Sequence, residues 1–228
     1  MVAVRDRMAP FVLPERTTSA IEHAWAGLGA PGTWWTGPER LAIVEAIRAA
    51  EPLPIGTPVP DLRSLSAEPD PVLSPVVTEV ARRVAVDAGR IDAAWADVAI
   101  EALGPGRYTE LVALAVTTVP IDLLCRLLGA DPPPLPAAEG GEPSRVVPPG
   151  VADGDAFVPW VVEGWMGPNV ARALSYVPAD NAVRMRLVQA MYADEAQFAR
   201  LVWEERALCR PQVELLAART SAINECFY

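Results

Sequence analysis

The chain has 228 residues, 51% of them hydrophobic and 21% charged, with a formal net charge of −10; this is a globular composition, long enough for one large core or two smaller ones. All 19 basic residues are arginine, which excludes chemistry that needs a lysine: Schiff bases, pyridoxal enzymes and phosphate-loop ATP binding. An acidic chain without a basic stripe repels phosphate backbones, so nucleic acid is not expected as a partner, and a single histidine cannot build a multi-histidine metal site.

The elements read almost entirely as helices, and nothing reads as a strand. Met1 to Arg7 lacks the apolar core of a signal peptide, so a cytoplasmic location is expected. Ser19-Ala-Ile-Glu22 and Thr36-Gly-Pro-Glu39 are capping-box patterns, and helices are expected to start there, the second running to about Ala50. Glu51 to Pro75 is rich in Pro, Asp and Ser and reads as loop. Val76 to Ala88 reads as a helix stopped by Gly89, and Ile91 to Leu103 as another stopped by Gly104. Tyr108 to Leu128 is a long apolar helix that Pro120 is expected to kink or break; its apolar run is too short and too polar to span a bilayer, so no membrane is expected. Residues 131–167 read as a linker, with Asp131-Pro-Pro-Pro-Leu-Pro136 favouring extended polyproline geometry. Helices resume over Asn169–Tyr176, Ala179 to about Met191, Ala196–Cys209 and then from Pro211.

That last helix carries an unusual set of side chains. Glu214, Ala218, Ser221 and Glu225 share one face, flanked by Leu215, Arg219 and Ala222, and Asn224, Cys226 and Tyr228 follow. Glu214 stands twelve residues ahead of Cys226. This stretch resembles the core motif of the alkylhydroperoxidase D-like, or carboxymuconolactone decarboxylase-like, superfamily. There a helix beginning Glu-Leu, with an Arg and an Asn inside it, runs into Cys-x-x-Cys and a following His. Glu214, Arg219, Ser221, Asn224, Cys226 and Tyr228 match; the second cysteine and the His would fall after Tyr228, so the motif reads as stopping short of them. The likeness covers about the last fifteen residues. The remainder resembles more loosely a subgroup built of two related halves.

The resemblance implies an all-α protein of the alkylhydroperoxidase D-like bundle type. Its parts would be an N-terminal half over 1–130 with a degenerate site, a proline-rich linker over 131–167, and a C-terminal half over 168–228. Laying Glu110-Leu-Val-Ala on Glu214-Leu-Leu-Ala places Asp122 on Cys226 and Cys125 on the second cysteine. The implied activity is that of a thiol peroxidase, reducing hydroperoxides at the expense of a thiol reductant, with no cofactor. Cys226 and Glu214 are the implied catalytic residues, as resolving thiol and acid–base group; in the resembling enzymes the second cysteine attacks the peroxide. The alternatives are a lyase of the same superfamily, which lacks the thiol pair, and a non-catalytic helical scaffold.

The other notable residues read more plainly. Cys125 is expected in the core, His23 in a structural role, and Cys209 has no assigned role. Arg219 is expected either to pair with a carboxylate such as Glu110 or Glu214 or to lie exposed. Trp25, Trp34, Trp35 and Trp95 are expected to fill gaps between helices or to bury a subunit contact, and a homo-oligomer is expected. The terminal helix is expected to lay Leu215, Ala218 and Ala222 against Leu111, Ala115 and Thr118 of the Tyr108 helix.

Overall fold

The computed structural model describes residues 13–54, 56–65, 73–192, 197, 200, 202–203 and 207–223. The helices among them are α1 (Glu15–Ala26), α2 (Gly37–Arg48), α3 (Pro75–Val86), α4 (Ala93–Leu103), α5 (Pro105–Leu127), α6 (Asn169–Arg172), α7 (Pro178–Met191) and α8 (Arg210–Ile223). Short 3₁₀ turns occur at Leu62–Ser64 and Ala88–Arg90. The fold is mostly helical, as its periodicity implies.

The capping box at Thr36 is present: its hydroxyl accepts from the Glu39 N–H, and the Glu39 carboxylate accepts from the Thr36 N–H at 2.8 Å. The second such pattern does not act as a start. α1 begins four residues earlier, at Glu15 behind Pro14, and Ser19 lies inside it. Proline just ahead of the first turn supplies a preset φ without needing an N–H, so the helix starts where the chain first becomes regular.

α5 is the central helix. It packs against α2, α3, α4 and α7, and α7 also packs on α1. Tyr108, Leu111, Leu114, Ala115, Thr118, Ile121 and Cys125 form a buried three-and-four stripe on it. Thr109, Glu110, Ala113 and Thr117 are buried beside that stripe, so the buried face is wider than that of a one-sided surface helix. Ile21 of α1, Ile43 and Val44 of α2 and Val80 of α3 complete the core. Pro120 does not break this helix, which runs unbroken over 23 residues. Pro120 and Val116, whose carbonyl would have received the missing N–H, both lie on the exposed side of α5. Water can satisfy that carbonyl, so the proline is tolerated there.

Residues 131–150 form no helix or strand before the hairpin, as expected, but they are not a free spacer. Prolines 132–134 have no N–H, so this stretch can only accept hydrogen bonds. Trp25 Nε1 donates to the Pro134 carbonyl at 2.7 Å and Arg48 donates to the Pro133 carbonyl at 2.9 Å. Farther on, the Glu139 N–H reaches the Gly29 carbonyl at 2.8 Å and the Arg145 N–H reaches the Thr33 carbonyl at 2.8 Å. The segment is a strap laid over α1 and the α1–α2 loop.

A two-stranded antiparallel hairpin follows, β1 (Val151–Ala152) and β2 (Trp160–Val161), with Val151 opposite Val161. It corrects the expectation of no strands; two residues per strand are too few for alternation to register. Tyr176, Leu174 and Val177 then form a small second cluster with Ala113 of α5, and Trp34 stacks on Tyr176 at 5.9 Å between ring centroids. Through these contacts and α7, the chain after the strap is packed onto the N-terminal helices.

α6 is shorter than the expected Asn169–Tyr176 helix, ending at Arg172. Half of the helix expected over 196–209 falls outside the described residues. Among those that are described, Gln197 is helical and Arg200, Val202, Trp203, Ala207, Leu208 and Cys209 are not.

Candidate functional site

Of the two residues expected to be catalytic, the described structure holds one. Glu214 lies on α8, half exposed, with one carboxylate oxygen 3.2 Å from Arg210 Nε. A pair four residues apart on an exposed helix contributes little to stability, so Glu214 is open to other partners at small cost. Cys226 and Asn224 lie outside the described residues. At its start α8 is capped from within: the Gln212 side-chain oxygen accepts the Cys209 N–H at 2.9 Å.

The expected packing of α8 on α5 is corrected. α8 buries no residue, and Leu215 and Leu216 are 70% and 57% exposed. Leu111, Ala115 and Thr118 are buried instead among the other helices that surround α5. Arg219 is exposed and pairs with neither Glu110 nor Glu214, whose partners are Arg40 and Arg210. His23 is exposed at the end of α1.

Glu110, Asp122 and Cys125, the α5 counterparts of the motif's acid and two cysteines, are all inside the protein. Glu110 has no solvent exposure. One of its oxygens pairs with Arg40 and the other accepts the Trp34 N–H at 2.5 Å. Arg40 also donates to Asp180 of α7 at 2.9 Å. One guanidinium thus ties two buried carboxylates from α5 and α7 to α2, its five donors matching the planar acceptors. Gly32 closes the site from the α1–α2 loop, for a Cβ there would overlap both the Glu110 carboxylate and the Arg40 guanidinium. Burial pushes the Glu110 carboxyl above its ordinary range; Arg40 opposes the rise and Asp180 adds to it.

Asp122, the counterpart of Cys226, accepts from Arg48 with both oxygens, at 2.8 and 2.7 Å. The Arg48 guanidinium lies over the Trp25 ring, 4.8 Å from its centroid. Cys125 is buried in the core as expected, and burial followed by the nearby Asp122 charge pushes its thiol up. A buried thiol with a raised pKa is a poor nucleophile. Alkylation of the native protein with iodoacetamide, read by peptide mapping, is therefore expected to leave Cys125 unmodified until denaturant is added, while the half-buried Cys209 reacts. Labelling of Cys125 at the Cys209 rate would refute this burial.

Arg40 and Asp180 carry the most enclosed charge cluster near the motif's counterpart, and neither stood out in the sequence. Arg40 had a detectable signal: it falls three and four residues before Ile43 and Val44, on the buried stripe of α2. Asp180 did not, because an acid in the first turn of α7 looks like ordinary compensation of the helix dipole.

Among the described residues no cluster of three or more His, Cys, Asp or Glu side chains could hold a metal ion. Nor is any described helix long and apolar enough to cross a membrane. Comparison with protein-family models, curated proteins and solved structures finds no match to this chain.

Proposed function

We propose that the protein is a thiol peroxidase of the alkylhydroperoxidase D-like type whose chemistry resides at the end of α8. One observation carries the reading: the exposed Glu214 stands twelve residues ahead of Cys226, on a helix that also bears Arg219 and Ser221. The setting of α8 supports it, since none of the residues over Arg210–Ile223 is buried and Glu214 is open to solutes. In the resembling enzymes the second thiolate attacks the peroxide: an S–O bond forms, the O–O bond breaks and an alcohol or water leaves. Cys226 would then attack the sulfenic sulfur, forming the disulfide and releasing water, and an external dithiol would return both thiols. Glu214 would move the protons through the His or a water. A straight helix would hold Glu214 and Cys226 roughly 18 Å apart, so this reading requires either a turn after Asn224 or an approach of the thiol pair to Glu214 through an opposing helix. The hydroperoxide and the reductant are the partners of this reading, in a cytoplasmic setting. The exposed Leu215, Leu216 and Ile223 are surface that self-association would cover.

Peroxide consumption with dithiothreitol as reductant tests the proposal. Without reductant, residues 1–228 alone are expected to consume about one equivalent at Cys226. With dithiothreitol, which must then reduce that sulfenic acid directly because one thiol cannot close the intramotif disulfide, turnover is expected to be far slower than in the extended chain. The chain extended by Cys, three spacer residues and His is expected to turn over, and Glu214→Gln in that extended chain to slow it about 10²-fold, the usual size of a general acid–base contribution. An extended, folded chain without reductant-dependent turnover would sink the proposal.

A non-catalytic scaffold is the second reading. It is favoured by the sealed state of the α5 counterpart, where Glu110, Asp122 and Cys125 are all buried.

A further inference from the structure

A groove of about 730 Å³ lies between the start of α1, the last turns of α5 and the end of α7. Pro120, Leu123, Leu124 and Leu127 form one wall and Met191 part of the other. Leu123 and Leu127 are 51% and 74% exposed there, a large apolar surface to leave against water. Among the described residues that line it, Arg16 is the one charged side chain, in a protein with ten more acidic than basic groups. Arg16 is exposed at the rim, held by one long bond of 3.4 Å to the Tyr192 carbonyl.

We infer that this groove binds a single-chain carboxylate amphiphile, with its alkyl chain along Leu123, Leu124 and Leu127 and its carboxylate on Arg16. The polar groups of the wall decide between this occupant and a peptide. The Thr17 hydroxyl is already committed to the Ala190 carbonyl at 3.1 Å, and Gln197, the other neutral polar side chain among the described lining residues, is itself engaged. Pro14 and Pro120 have no N–H to offer. A peptide would bring backbone donors and acceptors against a wall with few partners for them, and each left unpaired would weaken binding. An alkyl chain brings none. Its one polar end meets Arg16, whose planar fork suits a carboxylate. The volume lies within the ordinary range for a small-ligand site, roughly 300–1,000 Å³. The inference does not depend on the thiol reading, because no cysteine lines the groove among the described residues.

Calorimetric titration of the full chain with octanoate, decanoate and laurate, each below its micelle concentration, tests it. One equivalent should bind, with affinity rising about fourfold per added methylene until the groove is filled. Arg16→Gln should weaken decanoate about tenfold and leave decanol unchanged, since only the acid makes the charge-assisted bond. Leu123→Asp, at a half-exposed position that does not threaten folding, should abolish binding of both. Three results would overturn the inference: no saturable binding by the wild-type chain; decanoate binding insensitive to Leu123→Asp; or binding to anionic phospholipid vesicles without binding to free decanoate. A fall from dimer to monomer mass on Leu123→Asp would also overturn it, showing that a second copy fills the groove.

Discussion

Replacing Arg40 with alanine is expected to destabilise the protein by about 3–5 kcal/mol at neutral pH, because it strands Glu110 and Asp180 as buried carboxylates without their counter-charge. The loss is read by urea unfolding, and for a chain of this size it corresponds to a melting point lower by roughly 10 °C. Two features separate this from ordinary loss of packing. The first is pH. Burial already raises the Glu110 carboxyl in the folded protein. The folded state therefore holds more protons than the unfolded state between the ordinary carboxylate value and the raised one. The cost of keeping Glu110 ionised is present in full above its folded pKa and is absent below the unfolded value. Removing Arg40 takes away the opposing charge, so the Arg40→Ala defect should shrink as pH falls through that window. The second is coupling. Both Glu110 oxygens accept, one from Arg40 and one from the Trp34 N–H, so Glu110→Gln alone points an amide NH₂ at a donor and costs about 1–3 kcal/mol. Together with Arg40→Ala it should cost less than the sum of the two. A pH-independent, additive pair would show that the cluster is not held as described.

Gly37→Ala is expected to cost about 2–3 kcal/mol, although it places the better helix former at the first position of α2. A Cβ at residue 37 would overlap the Gly29 carbonyl oxygen and lie 2.6 Å from the Glu139 carbonyl oxygen. Both are backbone atoms, and the Glu139 N–H is itself bonded to the Gly29 carbonyl at 2.8 Å. Neither can yield without lifting the strap off the α1–α2 loop, so the change is overpacking against a rigid wall. The matched control is Gly140→Ala, three residues beyond Ala137 on the same strap, where a Cβ would meet nothing within 4 Å. That substitution should be neutral or slightly stabilising. Hydrogen exchange at the Glu139 amide distinguishes the two: fast in Gly37→Ala, unchanged in Gly140→Ala. Equal stability of the two variants would mean that the strap is not seated where Gly37 meets it.

How far the sequence could be read depended on the range of the interactions involved. Helix content, the Thr36 cap and the approximate span of α3, α4, α5 and α7 were legible, because periodicity, capping chemistry and proline placement act within a few residues of one another. The Glu214–Cys226 spacing is likewise a property of the chain alone, and α8 does form around Glu214. The aromatic anchors were recognisable as a class, and Trp25 and Trp35 are buried as such a class should be. The tertiary structure decided the rest. Whether Pro120 breaks α5 depended on which side of that helix meets solvent, and Ser19 failed as a cap because Pro14 started α1 first. Residues 131–150 read as a spacer because their prolines disfavour regular structure. They are a strap because Trp25 and Arg48, about a hundred residues away in the chain, supply the donors those prolines lack. Glu110 aligns with Glu214 in sequence, yet one is sealed with Arg40 and Asp180 while the other faces water. The two helices share a local pattern, and a local pattern does not specify how many neighbours will pack around it. That number is set by burial of apolar surface among α2, α3, α4 and α7, a sum over the whole chain that no window of residues contains.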